Sequence, residues 1–332
     1  MSDIYLQGSQ LHLSLHNEKI IVRNEEKEIV REVGLDKIDN ILIFGQSQLT
    51  TQLIRRLALK KVNVFYFTTE GRFISFLDTM READFEKQKY QAKSHFDDVF
   101  RLEIARSILS TKMKHQIHLL KAFDEDKMLS QEDYQRFNNS LKQLETAVTI
   151  AEMMGFEGRC AKSYFYYLNL LAPSQFRFYG RSRRPAKDCF NTLLNFGYSI
   201  LYSFMIGMIR KNGLSQGFGM IHDDRHHHAT LASDLMEEWR PIIVDNTVMT
   251  ILRDGLLTLK DFEECAGGVY LTQHGRKVFL KALSSRMLEI HSFIEEDRKR
   301  YSFIYMADMQ ILSLIKAFQE NKPELYIRSY TG

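Results

Sequence analysis

Hydrophobic spacing changes period once along this chain, and that change limits the fold more than any other feature. Between Ile4 and Leu77 the runs IYLQ, QLHLSLH, KIIVRN, KEIVREV, NILIFG, NVFYFT and RFISFL alternate apolar and polar residues, the signature of short strands. HNEK and NEEK supply turns, and one helix is expected from Gln48 to Lys60, with Leu49, Leu53, Leu57 and Leu59 near one face. From about Asp84 the spacing becomes helical. In FRLEIARSILSTKMKHQIHLLKAF the apolar positions are Leu102, Ile104, Ile108, Leu109, Met113, Ile117 and Leu120. LKQLETAVTIAEMMGFEGRCAKSYFYYLNLL and the segments near 188–211, 230–243 and 280–319 follow the same rule. The pattern predicts a two-domain α+β protein. A small β-rich, sandwich-like domain of six or seven strands spans 1–83, and a larger all-α domain spans 84–332. The charged join DTMREADFEKQKYQAK (78–93) carries the boundary.

Composition serves mainly to exclude. Four prolines and seventeen glycines among 332 residues leave no low-complexity linker, and no solenoid period is present. Cys160, Cys189 and Cys265 lie far apart with no CxxC spacing, which excludes a thiolate zinc site and a disulfide scaffold and suits a reducing cytoplasm. The start, MSDIYLQGSQ, lacks the basic and apolar regions of a signal peptide. LLNFGYSILYSFMIGMI (193–209) contains Asn195, Gly197, Ser199 and Ser203 and reads as a buried helix rather than a membrane span. A soluble cytoplasmic protein is expected. The net charge of +3 decides little, but QFRFYGRSRRPAK (175–187) carries Arg177, Arg181, Arg183, Arg184 and Lys187 without an acid, among Phe176, Phe178 and Tyr179. Such a local basic, aromatic segment is a nucleic-acid footprint, or an ordinary solvated loop.

Three places carry candidate chemistry. Glu157 shares a stripe with Leu144, Ala151, Met154, Ala161, Tyr164 and Leu168, beside Gly158. An inward carboxylate needs a cation, whereas a half-exposed one would pair with Arg159 or Lys162. A helix from Thr230 to Trp239 would bury Leu231, Leu235, Trp239 and Ile242, and the spacing of Asp234, Glu237 and Glu238 lets them converge on one point. His222 follows the glycine-containing QGFGMI and is either a ligand or a satisfied core residue. His226, His227 and His228 point in different directions and are expected on an exposed loop. Two acids and one imidazole from separate elements suit a hard divalent ion, magnesium or manganese, in a phosphodiester-processing site.

EGRCAKSYF (157–165), RSRRPAKDCFNTLLNFGYSILYS (181–203), GFGMIHDDR (217–225) and SDLMEEWRPIIVD (233–245) resemble, in order, four motifs of the CRISPR-associated integrase family of spacer acquisition. The resemblance implies metal ligands and catalytic residues Glu157, His222 and Glu237, the last lying three residues after the aspartate of its motif. Asp234 and Glu238 take supporting or DNA-contact roles, and Arg181, Arg183 and Arg184 contact DNA. It further implies Mg2+ or Mn2+, antiviral defence by insertion of DNA fragments into a CRISPR array, and a homodimer built through the β-rich domains. A small ferredoxin-like partner would bridge two dimers. The implied chemistry is attack of a fragment's 3′-hydroxyl on a repeat phosphodiester, or hydrolysis when water attacks. The alternatives are a nuclease on branched or single-stranded DNA that does not integrate, and a DNA-binding protein without catalysis.

Overall fold

The computed structural model describes residues 3–7, 10–38, 40–69, 71, 73–77, 84–183, 185–223, 228–293 and 300–329. The chain forms two compact units, Met1–Ala83 and Asp84–Gly332. The first is strand-rich and the second mainly helical.

The first unit contains β1 (Asp3–Gln7), β2 (Leu11–His16), β3 (Lys19–Arg23), β4 (Ile29–Gly34), β5 (Asn40–Phe44), β6 (Ser47–Leu49), α1 (Thr51–Leu59), β7 (Asn63–Phe67) and β8 (Phe73–Leu77). One sheet has the order β1-β5-β7-β8 and the other β4-β3-β2-β6. In the first sheet β5 runs parallel to both neighbours and is buried along its whole length, as NILIF requires. A single core joins Ile4, Leu13, Ile20, Val22, Ile41 and Val64 from both sheets with Leu53 and Leu57 of α1. The helix expected from Gln48 begins at Thr51 instead. Ser47–Leu49 pair in parallel with β2, and Thr50 caps the helix by accepting from Leu53 N at 3.4 Å.

The second unit contains α2 (Phe85–His95), α3 (Asp98–Phe123), α4 (Gln131–Thr146), α5 (Ile150–Leu171), α6 (Cys189–Lys211), α7 (Thr230–Leu235), α8 (Asn246–Arg253), β9 (Phe262–Cys265), β10 (Gly268–Leu271), α9 (Gln273–Leu288), β11 (Ile290–His291), β12 (Tyr301–Ser302) and α10 (Phe303–Glu320). Two short antiparallel ribbons, β9–β10 and β11–β12, thus interrupt what the sequence suggested was wholly helical. The first turns at Ala266 and Gly267, both at positive φ, the geometry a tight two-residue hairpin demands. From Ile108 to Leu120, α3 is buried at every position but Lys114 and His118, so it is the central helix. By length and composition α6 could cross a membrane, but 78% of its apolar window is buried inside the unit, as the polar residues within it suggested. Gly197 lets α6 approach closely, since a Cβ there would lie 2.5 Å from Val244 Cγ1.

Candidate active site

Glu157 comes from α5, which does not continue from α4 as the spacing suggested. Ala147–Thr149 breaks the helix, and Thr149 caps α5 through Glu152 N. The buried stripe of α5 is Met153, Cys160, Tyr164 and Leu168, and Glu157 falls on it at helical spacing. Its partner is neither Arg159, which stacks on Phe156, nor the exposed Lys162, but Lys112 of α3. The Lys112 ammonium lies 2.5 Å from Glu157 Oε1 and 2.6 Å from Glu237 Oε2, so it bridges two acids from different elements. Glu237 also meets Arg240 at 3.1 Å. Burial pushes the Glu237 carboxyl up, but Arg240 and Lys112 outweigh it and hold the group down at about 2. Burial works to lower Lys112, and Glu237 and Glu157 overcome it to raise the ammonium above its usual range.

His222 is aimed by Asp234. This fully buried carboxylate accepts from Met220 N at 2.6 Å, Ile221 N at 2.9 Å and His222 N at 3.3 Å, and its Oδ1 lies 2.6 Å from His222 Nδ1. Gly219 makes that wrap feasible, since a Cβ would come within 2.5 Å of Thr230 Cγ2 and 2.9 Å of Asp234 Oδ2. The hydrogen bond to Asp234 raises the His222 pKa against the effect of burial, and Glu237 lies near enough to add to the rise.

Asp234, Glu237 and Glu238 do not converge, contrary to their spacing. The helix ends at Leu235, residues 236–239 form turns, and Arg240–Asp245 winds as a wider π-helix containing Pro241. The three acids therefore take three directions. Asp234 goes to His222 and Glu237 to Lys112. Glu238 is enclosed by Gln310, Tyr326 and Ser329 at 2.8–3.1 Å, where burial raises it to about 7. Glu238 is thus buried, with both carboxylate oxygens turned to partners inside the helical unit.

The basic segment also divides. Arg181 is turned inward: it donates to Asn191 and to Asn195 at 2.9 Å, and lies over Phe165 and Tyr198. Phe176 and Phe178 are core, the latter stacked on Phe190. Arg177, Tyr179, Arg183 and Lys187 are exposed, and Arg184 lies outside the described residues. So do His226 and His227. The exposed His228 lies 2.8 Å from Ser233 Oγ and stacks on Tyr202, beside the start of α7. Sequence reasoning missed Lys112 and a second cluster, in which buried Asp245 accepts from Tyr164 at 2.7 Å and Tyr198 at 2.5 Å.

As they stand, no three His, Cys, Asp or Glu among the described residues form a metal cluster. The donor types nevertheless fit a hard divalent ion. Two carboxylates already share one cation, and Glu237 Oε2 is enclosed with the Lys112 ammonium 2.6 Å away. Asp234 occupies His222 Nδ1, so Nε2 is the ring nitrogen that a metal ion would take in the usual carboxylate–histidine arrangement.

A strand-rich unit is followed by a helical one, in which Glu157 and Glu237 meet on Lys112 and Asp234 braces His222 within electrostatic reach of Glu237. The family model for CRISPR associated protein Cas1 matches residues 4–285. The chain belongs to the Cas1 family. It is 32% identical to the CRISPR-associated endonuclease Cas1 of Mycobacterium tuberculosis, over 97% of this chain and 96% of that one. With a Thermus thermophilus protein named CRISPR-associated endonuclease Cas1 3 it shares 27% identity over 93% and 92% of the two chains. The fold matches a CAS1 protein from Thermotoga maritima at a TM-score of 0.84, with 23% identity and coverage of 96% and 97%. A casposase bound to integration product matches equally well, with a TM-score of 0.84, 23% identity and coverage of 97% and 92%.

Proposed function

We propose that this chain is a metal-dependent DNA endonuclease and integrase that inserts DNA fragments into a CRISPR array by transesterification, with Glu157, His222 and Glu237 as metal ligands. The observation that carries this reading is the meeting of Glu157 and Glu237 from separate elements on one cation, with His222 braced beside them. Support comes from relatives named endonucleases, and from fold neighbours that include the casposase–product complex and a Cas6-RT-Cas1–Cas2 complex.

Mg2+ or Mn2+ bound there supplies Lewis-acid stabilisation of the charge that develops on a phosphoryl oxygen. The chain's own residues do the rest. Glu157 and Glu237 offer hard oxygen donors, and Asp234 fixes the His222 tautomer so that Nε2 is free to coordinate. Arg240 stays paired with Glu237 and orients it. Exposed Arg177, Arg183 and Lys187 meet DNA phosphates. The fragment's 3′-oxygen forms the new phosphorus–oxygen bond as the repeat's own 3′-oxygen leaves. DNA, a second copy of the chain and a small ferredoxin-like protein bridging two dimers are the partners of this reading.

The test is a fragment with free 3′-ends offered to a supercoiled, repeat-bearing plasmid with the partner protein and Mn2+ or Mg2+. Joined product should form, vanish in Glu157→Ala and His222→Ala, and survive simultaneous alanine substitution of His226, His227 and His228. Cleavage without joining would leave a nuclease only. Loss of product in the triple variant as severe as in His222→Ala would refute the ligand assignment.

A further inference from the structure

The candidate site is electrically complete without a divalent ion, and one side chain makes it so. Glu157 and Glu237 contribute two negative charges, and Lys112 and Arg240, in direct contact with those acids, two positive ones. The two cations are not equivalent. Arg240 is pinned between Glu237 and the ring of Tyr198, 4.9 Å from its guanidinium carbon. The Lys112 ammonium has only the two carboxylates as polar partners among the described residues, and sits between them on an unbranched four-carbon stem. An ion entering between those carboxylates must take the place of that ammonium, since both want the same two oxygens.

We propose that Lys112 is a positioning residue that holds Glu157 and Glu237 together as an ammonium stand-in for the divalent ion, and withdraws when the ion arrives. This role rests on reading Glu157, His222 and Glu237 as the ligands. Ion uptake is then an exchange of one cation for another. The exchange leaves the site with excess positive charge that a phosphodiester offsets, so ion and DNA bind with mutual support. Lys112 thereby prevents the two acids from repelling each other apart in the ion-free chain, and weakens ion binding in the absence of DNA.

Mn2+ alone is the probe, titrated at pH 8 into the full chain by electron paramagnetic resonance, with thermal denaturation measured with and without it. Lys112→Met should lower the metal-free Tm, recover it with Mn2+, and bind Mn2+ about tenfold more tightly than the wild type, the size of a one-unit change in interaction with a neighbouring charge. Lys112→Arg, which restores a cation, should keep the metal-free Tm and bind Mn2+ no more tightly than the wild type. A purely structural lysine predicts a lower Tm with unchanged or weaker Mn2+ binding, and that result in Lys112→Met overturns the inference while the ligands stand. Should Lys112→Met not fold, Lys112→Gln, which keeps a hydrogen-bond donor, is held to the same two criteria. Glu157→Ala separates the two levels. If wild-type Mn2+ binding is absent or indifferent to that change, the ligand reading itself fails.

Discussion

Asp234 shows how much of this site depends on one buried atom pair. Its two oxygens take three backbone N–H groups and the His222 ring, so the carboxylate both shapes the 219–222 loop and aims the imidazole. Asp234→Asn keeps the size but turns an N–H2 group toward N–H donors. The expected loss is on the order of 2–4 kcal/mol of stability, read as a lower Tm, together with weaker Mn2+ binding as the ring loses its brace. An unchanged Tm would mean the loop is held by its other contacts. In sequence, Glu157 is legible as a carboxylate on an apolar stripe, and the resemblance adds His222. Lys112 is as legible by the same logic, four residues beyond Ile108 and eight beyond Ile104 on the inward side of α3. It escapes notice because a lysine in a long helix looks like a solvated one, and α3 is buried on nearly every side, which erases the amphipathic contrast.

At the scale of elements, the stretch from Leu235 to Asp245 is where local pattern misleads most. Helical spacing assigns three acids to one face, whereas the helix ends at Leu235 and the turn at 236–239, ahead of the π-helix, carries Glu237 and Glu238 to partners different from those of Asp234. Most strands are legible because alternation survives burial on one face, and β6 is not because three residues carry almost no period. The π-helix ends at Asp245, which burial lifts from an ordinary 3.8 to about 6 despite hydrogen bonds from Tyr198 and Tyr164 and the charges of Arg181 and Arg240. The folded chain therefore holds this proton more tightly than the unfolded chain. Its contribution to stability is fully present below pH 3.8 and declines as pH rises through about 6. The full difference is on the order of 3 kcal/mol. Between these limits Asp245→Asn should lose that decline, seen as a flatter pH dependence of urea-unfolding midpoints than the wild type. Equal slopes in the two proteins would assign the wild-type dependence to other groups.

For the whole molecule, the proposed homodimer makes a demand on the strand-rich unit. In the sheet β4-β3-β2-β6, β4 is an outer strand with one backbone edge outside the sheet's own pairing, and it exposes Ile29 and Val30 at 53% and 54%. Exposed apolar residues on an edge strand invite pairing with another chain, and natural proteins usually suppress them with charge or proline. Here Glu28 precedes them and Arg31 and Glu32 follow, so the apolar pair is framed by charge of both signs. That frame suits a self-complementary contact, in which the acids of one copy face the arginine of the other across a two-fold axis. Replacing Ile29 and Val30 together by lysine puts two like charges at each side of such a contact. The dissociation constant of the dimer, measured by analytical ultracentrifugation, should rise by at least about tenfold, while circular dichroism stays unchanged because neither side chain belongs to the core. A dimer that persists at its wild-type strength would place the contact on another surface, and a wild-type chain that sediments as a monomer at micromolar concentration would remove the dimer from the proposed function. Joining of fragment ends separates assembly from chemistry. A variant that fails to dimerise yet still cleaves DNA with Mn2+ would show that each site is complete within one chain, as the Lys112-centred cluster in the helical unit implies.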